Sequence, residues 1–331
     1  MRTCFHAALV VPVLFLGWIR AQAAEPFRFV AIGDSGSGTA DQGRVAEQMW
    51  DWRKEHPFRL VLMLGDNIYG STELKGGGNP QRFPGEFDKF YKRFLDQSVR
   101  FHAVLGNHDM QTAHGKYEIE DLRRFGIESP TGYYEFTSTR GLVDFFALNT
   151  QLSGSAMRKQ VEWLRTKLAA SKAPWKVVFM HEPLYTPPGR HGPDRVLRQA
   201  IEGTLRRGGV QLVLAGHNHF YARMKPIGGI QYVISGGGGR HLYRPAMDPC
   251  TKSVREQFHF VAFEVYPDRI HLSAVDENGK VFDEATLDEK SLAAPATGCP
   301  ATSSITGPGR DPASSRRPSN AKIVGTKLRL S

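Results

Sequence analysis

The feature that most constrains this chain is a pattern that occurs five times: a short apolar run that stops abruptly at a cluster of Asp, Asn, His or Tyr. Residues 60–64 (LVLML) run into Gly65 and Asp66, with Tyr69 three residues on. Residues 29–32 run into Gly33-Asp34-Ser35-Gly36, and residues 101–105 into Gly106-Asn107-His108-Asp109. Residues 176–180 end in His181, and residues 210–215 in Gly216-His217-Asn218-His219. Runs this short and this apolar suit strands buried on both faces of a sheet rather than helices. In open α/β sheets chemistry sits beyond the carboxyl ends of such strands. Any one of these polar residues alone is most simply a helix cap or a turn residue. Five strand ends that converge with oxygen and imidazole donors form the pattern of a metal site. His102, His241, His259 and His271 follow no glycine-terminated strand and are assigned structural roles.

Between these runs the periodicity changes. Residues 27–32 are the first strand, and residues 41–55 place Val45, Met49 and Trp52 at helical spacing, so the first two strands and this helix make a βαβ unit. The Gly, Pro and Asn of residues 70–85 predict a long loop beside the site. Helices are expected over residues 86–97, 116–125, 156–171 and 194–207, and strands of a second sheet over 133–136 and 143–148. Residues 230–235, 258–266 and 269–275 suggest an antiparallel finish with a turn at Pro267-Asp268. The glycines at 236–239 either bring backbone close to the site or form a plain tight turn.

With 331 residues, 40% of them hydrophobic and 23% charged, the chain has the composition of a globular protein with one catalytic domain, placed at residues 24–290. Residues 1–23 combine Arg2, an apolar stretch and Ala21-Gln22-Ala23, the form of a cleavable signal peptide, so a secreted or periplasmic location is expected. The apolar stretch is shorter than the roughly 20 residues a membrane span needs, and no later segment reaches that length. Export would leave Cys250 and Cys299 as the only pair available for a disulfide. Residues 291–331 read as a disordered basic tail. The formal charge of +10 is concentrated in these two ends, and only +3 belongs to residues 24–290. That argues against specific nucleic-acid binding. The oligomeric state has no sequence signal.

The order Gly-Asp-x-Gly, Gly-Asp-x-x-Tyr, Gly-Asn-His-Asp, Val-x-x-His, Gly-His-x-His resembles the five motifs of the purple acid phosphatases, within the binuclear metallophosphoesterases. The chain's size and His191-Gly192-Pro193 are similar to the small tartrate-resistant type. The resemblance implies a calcineurin-like α/β fold, two mixed β-sheets packed as a sandwich flanked by helices. It assigns Asp34, Asp66, Tyr69 and His219 to a ferric ion, and Asp66 again with Asn107, His181 and His217 to a divalent Fe, Zn or Mn. Catalytic roles fall to His108 and His191, which would orient the phosphate or protonate the leaving alcohol. Their rival roles are to position the Asn107 loop beside Asp109 and to lie passively in a Pro-rich loop. The implied activity is hydrolysis of small phosphomonoesters by hydroxide bound at the Fe(III)-M(II) pair. The alternatives are a phosphodiesterase of the same superfamily, or an iron-binding redox protein with vestigial hydrolysis. Most calcineurin-like sites carry Asp-x-His in the first motif; here Gly36 stands at the His position and Tyr69 replaces that ligand. Residues 151–156 are short where mammalian relatives carry a long loop, which argues against regulation by cleavage there.

Overall fold

In the first strand Phe29 and Ala31 point to one side and Val30 and Ile32 to the other, and all four are buried. Both faces of this strand are therefore covered, which is why the run is continuously apolar rather than alternating. The same holds for the other runs that end at polar clusters. A computed structural model describes residues 25–69, 82–111, 129–294, 297 and 299. The signal segment 1–23, the helix expected at 116–125, most of the loop 70–85 and most of the tail 291–331 lie outside the described residues.

The strands are β1 (Phe27–Ile32), β2 (Leu60–Met63), β3 (Arg100–Ala103), β4 (Tyr134–Thr137), β5 (Val143–Ala147), β6 (Trp175–Phe179), β7 (Leu212–Ala215), β8 (Tyr221–Met224), β9 (Gln231–Ser235), β10 (Thr251–Arg255), β11 (His259–Val265), β12 (Ile270–Asp276) and β13 (Val281–Leu287). The α-helices are α1 (Ala40–Glu55), α2 (Lys89–Asp96), α3 (Gly154–Ala170), α4 (Arg195–Arg207) and α5 (Glu289–Ala293). One sheet has the order β13-β12-β11-β1-β2-β3, the other β10-β8-β9-β7-β6-β5-β4. Both are mixed: β1, β2 and β3 pair in parallel, as do β5, β6, β7 and β9, whereas the remaining pairs are antiparallel.

The two sheets pack face to face. Phe29 stacks on Phe263 at 4.5 Å within the first sheet and meets Phe145 of the second edge-on at 5.2 Å. On the outer face of the first sheet, Val30, Ile32, Val61 and Met63 pack under Val45 and Met49 of α1 and Phe94 of α2. Phe146, Val178 and Val213 pack likewise under Leu164 and Leu168 of α3 and Ile201 of α4. The result is the expected sandwich with helices on both outer faces. Polar links join the sheets as well. Arg223 of β8 forks onto Asp283 of β13 at 2.7 and 2.9 Å, and the Tyr221 hydroxyl donates to the same carboxylate at 2.6 Å.

Some expectations need correction. β9 does not join the antiparallel finish; it lies parallel to β7 in the second sheet, and β11, β12 and β13 form the finish in the first. The helix expected from residue 86 begins as a π-helical turn over Pro84–Asp88, inside the segment read as loop. The packed chain continues past residue 290: Leu292 of α5 is buried in the inter-sheet core, and Cys299 is bonded to Cys250. The pair singled out in the sequence is thus a disulfide. No helix among the described residues is long and apolar enough to cross a membrane.

Candidate metal centre

The loops after β1, β2, β3, β6, β7 and β9 meet at one edge of the sandwich, held by their own backbones. Asp34 N–H donates to Gly65 O at 3.1 Å, Gly216 N–H to His181 O at 3.0 Å, and Gly238 N–H to Gly33 O at 3.0 Å. Asp34, Asp66 and His217 have positive φ (58°, 51° and 69°), three of the five non-glycine residues with this backbone among those described. Residues held in that region mark places where surrounding structure overrides local preference. Here it turns each strand sharply enough to aim its side chain at a common point.

Two groups of donors result. In the first, the Tyr69 hydroxyl lies 3.1 Å from both Asp34 Oδ1 and His219 Nε2, and His219 Nε2 lies 3.4 Å from Asp34 Oδ1. In the second, Asn107 Oδ1 lies 3.1 Å from His181 Nε2 and 3.0 Å from His217 Nδ1, with 3.3 Å between the two nitrogens. Asp66 touches both: its Oδ1 is 3.4 Å from His181 Nε2, and its carboxylate clusters with Asp34 and His219.

These groups fit metal ions on chemical grounds. His181 Nδ1–H donates to Leu64 O at 2.8 Å and His219 Nδ1–H to His241 O at 2.7 Å. In each neutral ring Nε2 is then a bare lone pair, and it faces the oxygens of Asn107, Asp66, Asp34 and Tyr69. Lone pairs facing one another repel unless a proton or a cation lies among them. Without a cation the protein responds through protonation: burial opposes it, but the charges of Asp66, Glu182 and Asp34 push His181 up to about 9. His217, by contrast, is pushed down to about 3 by burial and the neighbouring His181 charge. Burial and the charges of Asp34 and Asp66 push the Tyr69 phenol well above 10.0, so it keeps its proton. Spacings of 3.0–3.4 Å between donors are also those of atoms sharing one ion with bonds of about 2.1 Å.

The surrounding residues hold this arrangement. Gly36 shows why no histidine stands there. A Cβ at Gly36 would lie 1.9 Å from Asn67 O, because the 67–69 backbone runs directly across it. Gly36 N–H donates to Asp66 O and Tyr69 N–H to Gly36 O, which brings the Tyr69 ring into the site. At Gly65, Gly106 and Gly216 a Cβ would likewise collide with His181, Asp66 and the Leu64 carbonyl. The open question about residues 236–239 is settled by close approach: a Cβ on Gly236 would lie 2.1 Å from Asn218 O and one on Gly238 2.5 Å from Gly33 O.

His108 and His191 flank the centre on different sides. The His108 ring lies 4.6 Å from that of Tyr69 and its backbone N–H donates to Asp66 Oδ1; the His191 ring lies 4.6 Å from that of His217. Asp109 does not pair with His108. Its buried carboxylate accepts from Gly106 N, Asn67 N, Asn67 Nδ2 and Ile68 N, stapling the second and third motifs together. Two residues that the sequence reading missed are Glu86, which accepts from Tyr69 N–H at 3.0 Å, and Glu182, which clusters with His181 and His217 and accepts from Thr150 and Gln151. Adjacency to His181 was the only sequence signal for Glu182. His102 stacks on Phe136, and His259 Nδ1–H donates to Gln257 O at 2.8 Å. His241 contributes its backbone carbonyl to the site.

Comparisons with known proteins identify the family of the chain. Residues 27–221, which contain all five motifs, match the family described as calcineurin-like phosphoesterase. The chain is 26% identical to tartrate-resistant acid phosphatase type 5 of Oryctolagus cuniculus, covering 87% of this chain and 97% of that protein. It is 25% identical to purple acid phosphatase 7 of Arabidopsis thaliana, covering 80% and 86%. Among solved structures, the anchor in the inner membrane complex of Plasmodium superposes with a TM-score of 0.69 at 20% identity, covering 80% of this chain and 89% of that one. A purple acid phosphatase from yellow lupin seeds superposes at 0.67 with 18% identity, covering 85% and 57%. The chain belongs to the calcineurin-like phosphoesterase family, with purple and tartrate-resistant acid phosphatases among its homologues.

Proposed function

We propose that this chain is an exported acid phosphatase that hydrolyses phosphomonoesters at a binuclear metal centre. The fold alone does not decide this, because a neighbour of the same fold is described as an anchor. The observation that carries the reading is the pair of donor groups joined at Asp66, with imidazole lone pairs turned toward oxygens. Asp34, Asp66, Tyr69 and His219 would hold one ion and Asp66, Asn107, His181 and His217 the other. A tyrosinate oxygen is a hard anionic donor, which favours Fe(III) in the first position. Fe, Zn or Mn as a divalent ion suits the second. When bound, such a pair supplies Lewis acidity for the phosphoryl oxygens and activates water.

The chain's own residues supply the rest. The Asp109 staple and the backbone bonds among the loops fix the donors before substrate arrives, so little reorganisation remains for the reaction. His108 and His191, each against the ring of a candidate ligand, would hold phosphate oxygens and deliver a proton to the departing alkoxide. Residues 1–23 act as the export signal, consistent with the Cys250–Cys299 disulfide.

The test is hydrolysis of phenyl phosphate against diphenyl phosphate by protein whose metal content has been measured. The expected result is two ions per chain and at least about a hundredfold higher kcat/KM for the monoester, with an optimum below pH 7. Comparable turnover of the diester would move the chain to the phosphodiesterases. No turnover with both ions bound would remove the enzymatic reading.

A further inference from the structure

Two guanidinium groups stand over this centre, and among the described residues neither has a carboxylate partner. Arg240 Cζ lies 4.5 Å above the Tyr69 ring, and its Nε is buried with no hydrogen-bond partner. Its backbone N–H donates to Asp34 O, so the side chain is anchored at the centre itself. Arg190 Cζ lies 4.9 Å over the Tyr243 ring, which stacks on His219 at 4.0 Å and 15°. Arg240 therefore rests directly on a metal-ligand candidate, and Arg190 is one aromatic ring removed from another. His241, next to Arg240 in the chain, meets the Tyr243 ring at 5.2 Å, so both arginines flank the Tyr243–His219 stack.

A guanidinium held over an aromatic ring can still offer N–H groups to a ligand, and its planar fork matches two oxygens of a phosphate. Surface arginines usually meet an acid or extend into water; these two are held in place by rings beside a site built for one phosphate.

We propose that Arg190 and Arg240 form a subsite for a second phosphate, so that the preferred substrates are small esters carrying two phosphates. One phosphate is presented to the metal centre and the other is held by the guanidiniums. This rests on the phosphatase reading above. In the reaction water adds to the phosphorus at the centre, the bond from that phosphorus to the alcohol oxygen breaks, and the alkoxide takes a proton. The products are inorganic phosphate and the remaining monophosphate, with the second phosphate unchanged.

The experiment compares propyl phosphate with propane-1,3-diyl bisphosphate on the metal-loaded protein, in wild type, Arg190→Ala, Arg240→Ala, the double Ala variant and the double Lys variant. Wild type should prefer the bisphosphate by about tenfold or more, chiefly through KM. The preference should shrink in each single variant, vanish to within about twofold in the double Ala variant, and return in part with Lys. It should also weaken as salt rises from 50 to 500 mM, by screening. A binding readout accompanies these: a non-hydrolysable propane-1,3-diyl bisphosphonate should raise the Tm of the loaded wild type more than that of the double Ala variant. Equal kcat/KM for the two esters in wild type, or a preference that survives in the double Ala variant, would overturn the subsite. Failure to hydrolyse either ester would sink the phosphatase reading instead, and the bisphosphonate shift would then decide the subsite alone.

Discussion

At Gly36 a missing side chain decides which residue enters the site. The 67–69 backbone lies against it so closely that a single methyl group would meet Asn67 O at 1.9 Å, and the bond from Tyr69 N–H to Gly36 O depends on that approach. Glycine in the first motif and tyrosine in the second are one feature, because the loop backbone that delivers Tyr69 occupies the space a histidine would need. Gly36→Ala should therefore displace Tyr69 while leaving the sheets intact. Activity is expected to fall by at least about tenfold, since small displacements of aligned groups are costly. An unchanged far-UV circular dichroism spectrum would locate the damage in the site. Full activity in this variant would mean that the loop has room that the close approach denies.

At the scale of elements, the strands whose faces are both covered were legible because continuous apolar runs have few other uses. The parallel strands β1, β2, β6 and β7, with their terminal donors, were read within a residue or two of their observed bounds. β8, β10 and β13 were missed. β10 and β13 are edge strands with half-exposed, charge-rich sequences such as TKSVR and VFDEATL, and β8 follows His219 with no turn residue to announce it. The metal-ligand candidates were legible because each lies in the short segment that follows an apolar strand. Asp109's acceptor role, Glu86 and the arginines over the site were not, because their partners lie far off in the chain and only packing identifies them. Phe29 shows what that packing is worth, since it is in contact with rings from both sheets. Phe29→Ala is expected to destabilise the fold by about 3–5 kcal/mol, measured by urea unfolding. A loss under about 1 kcal/mol would show that the inter-sheet core is not centred there.

For the whole molecule, the two sheets are also clamped by Arg223 and Asp283. Burial raises the Asp283 pKa, but hydrogen bonds from Arg223 and Tyr221 outweigh it and hold the carboxyl below its ordinary 3.8. A carboxyl depressed in the folded state contributes stability that is present above its unfolded pKa and lost as pH falls through the folded value. The stability difference between wild type and Asp283→Asn should thus be constant near neutrality and shrink below about pH 4, read from urea midpoints. A difference that grows on acidification would contradict the clamp. The same clamped sandwich brings loops from both sheets to one edge, where Tyr69 is proposed to hold an iron ion. The most direct measurement is the visible absorption spectrum of the iron-loaded protein beside that of Tyr69→Phe, which keeps the ring and removes the donor oxygen. The account predicts a phenolate-to-Fe(III) charge-transfer band that gives wild type a purple to pink colour and is absent from the variant. A colourless iron-loaded wild type, or a full band in Tyr69→Phe, would contradict it.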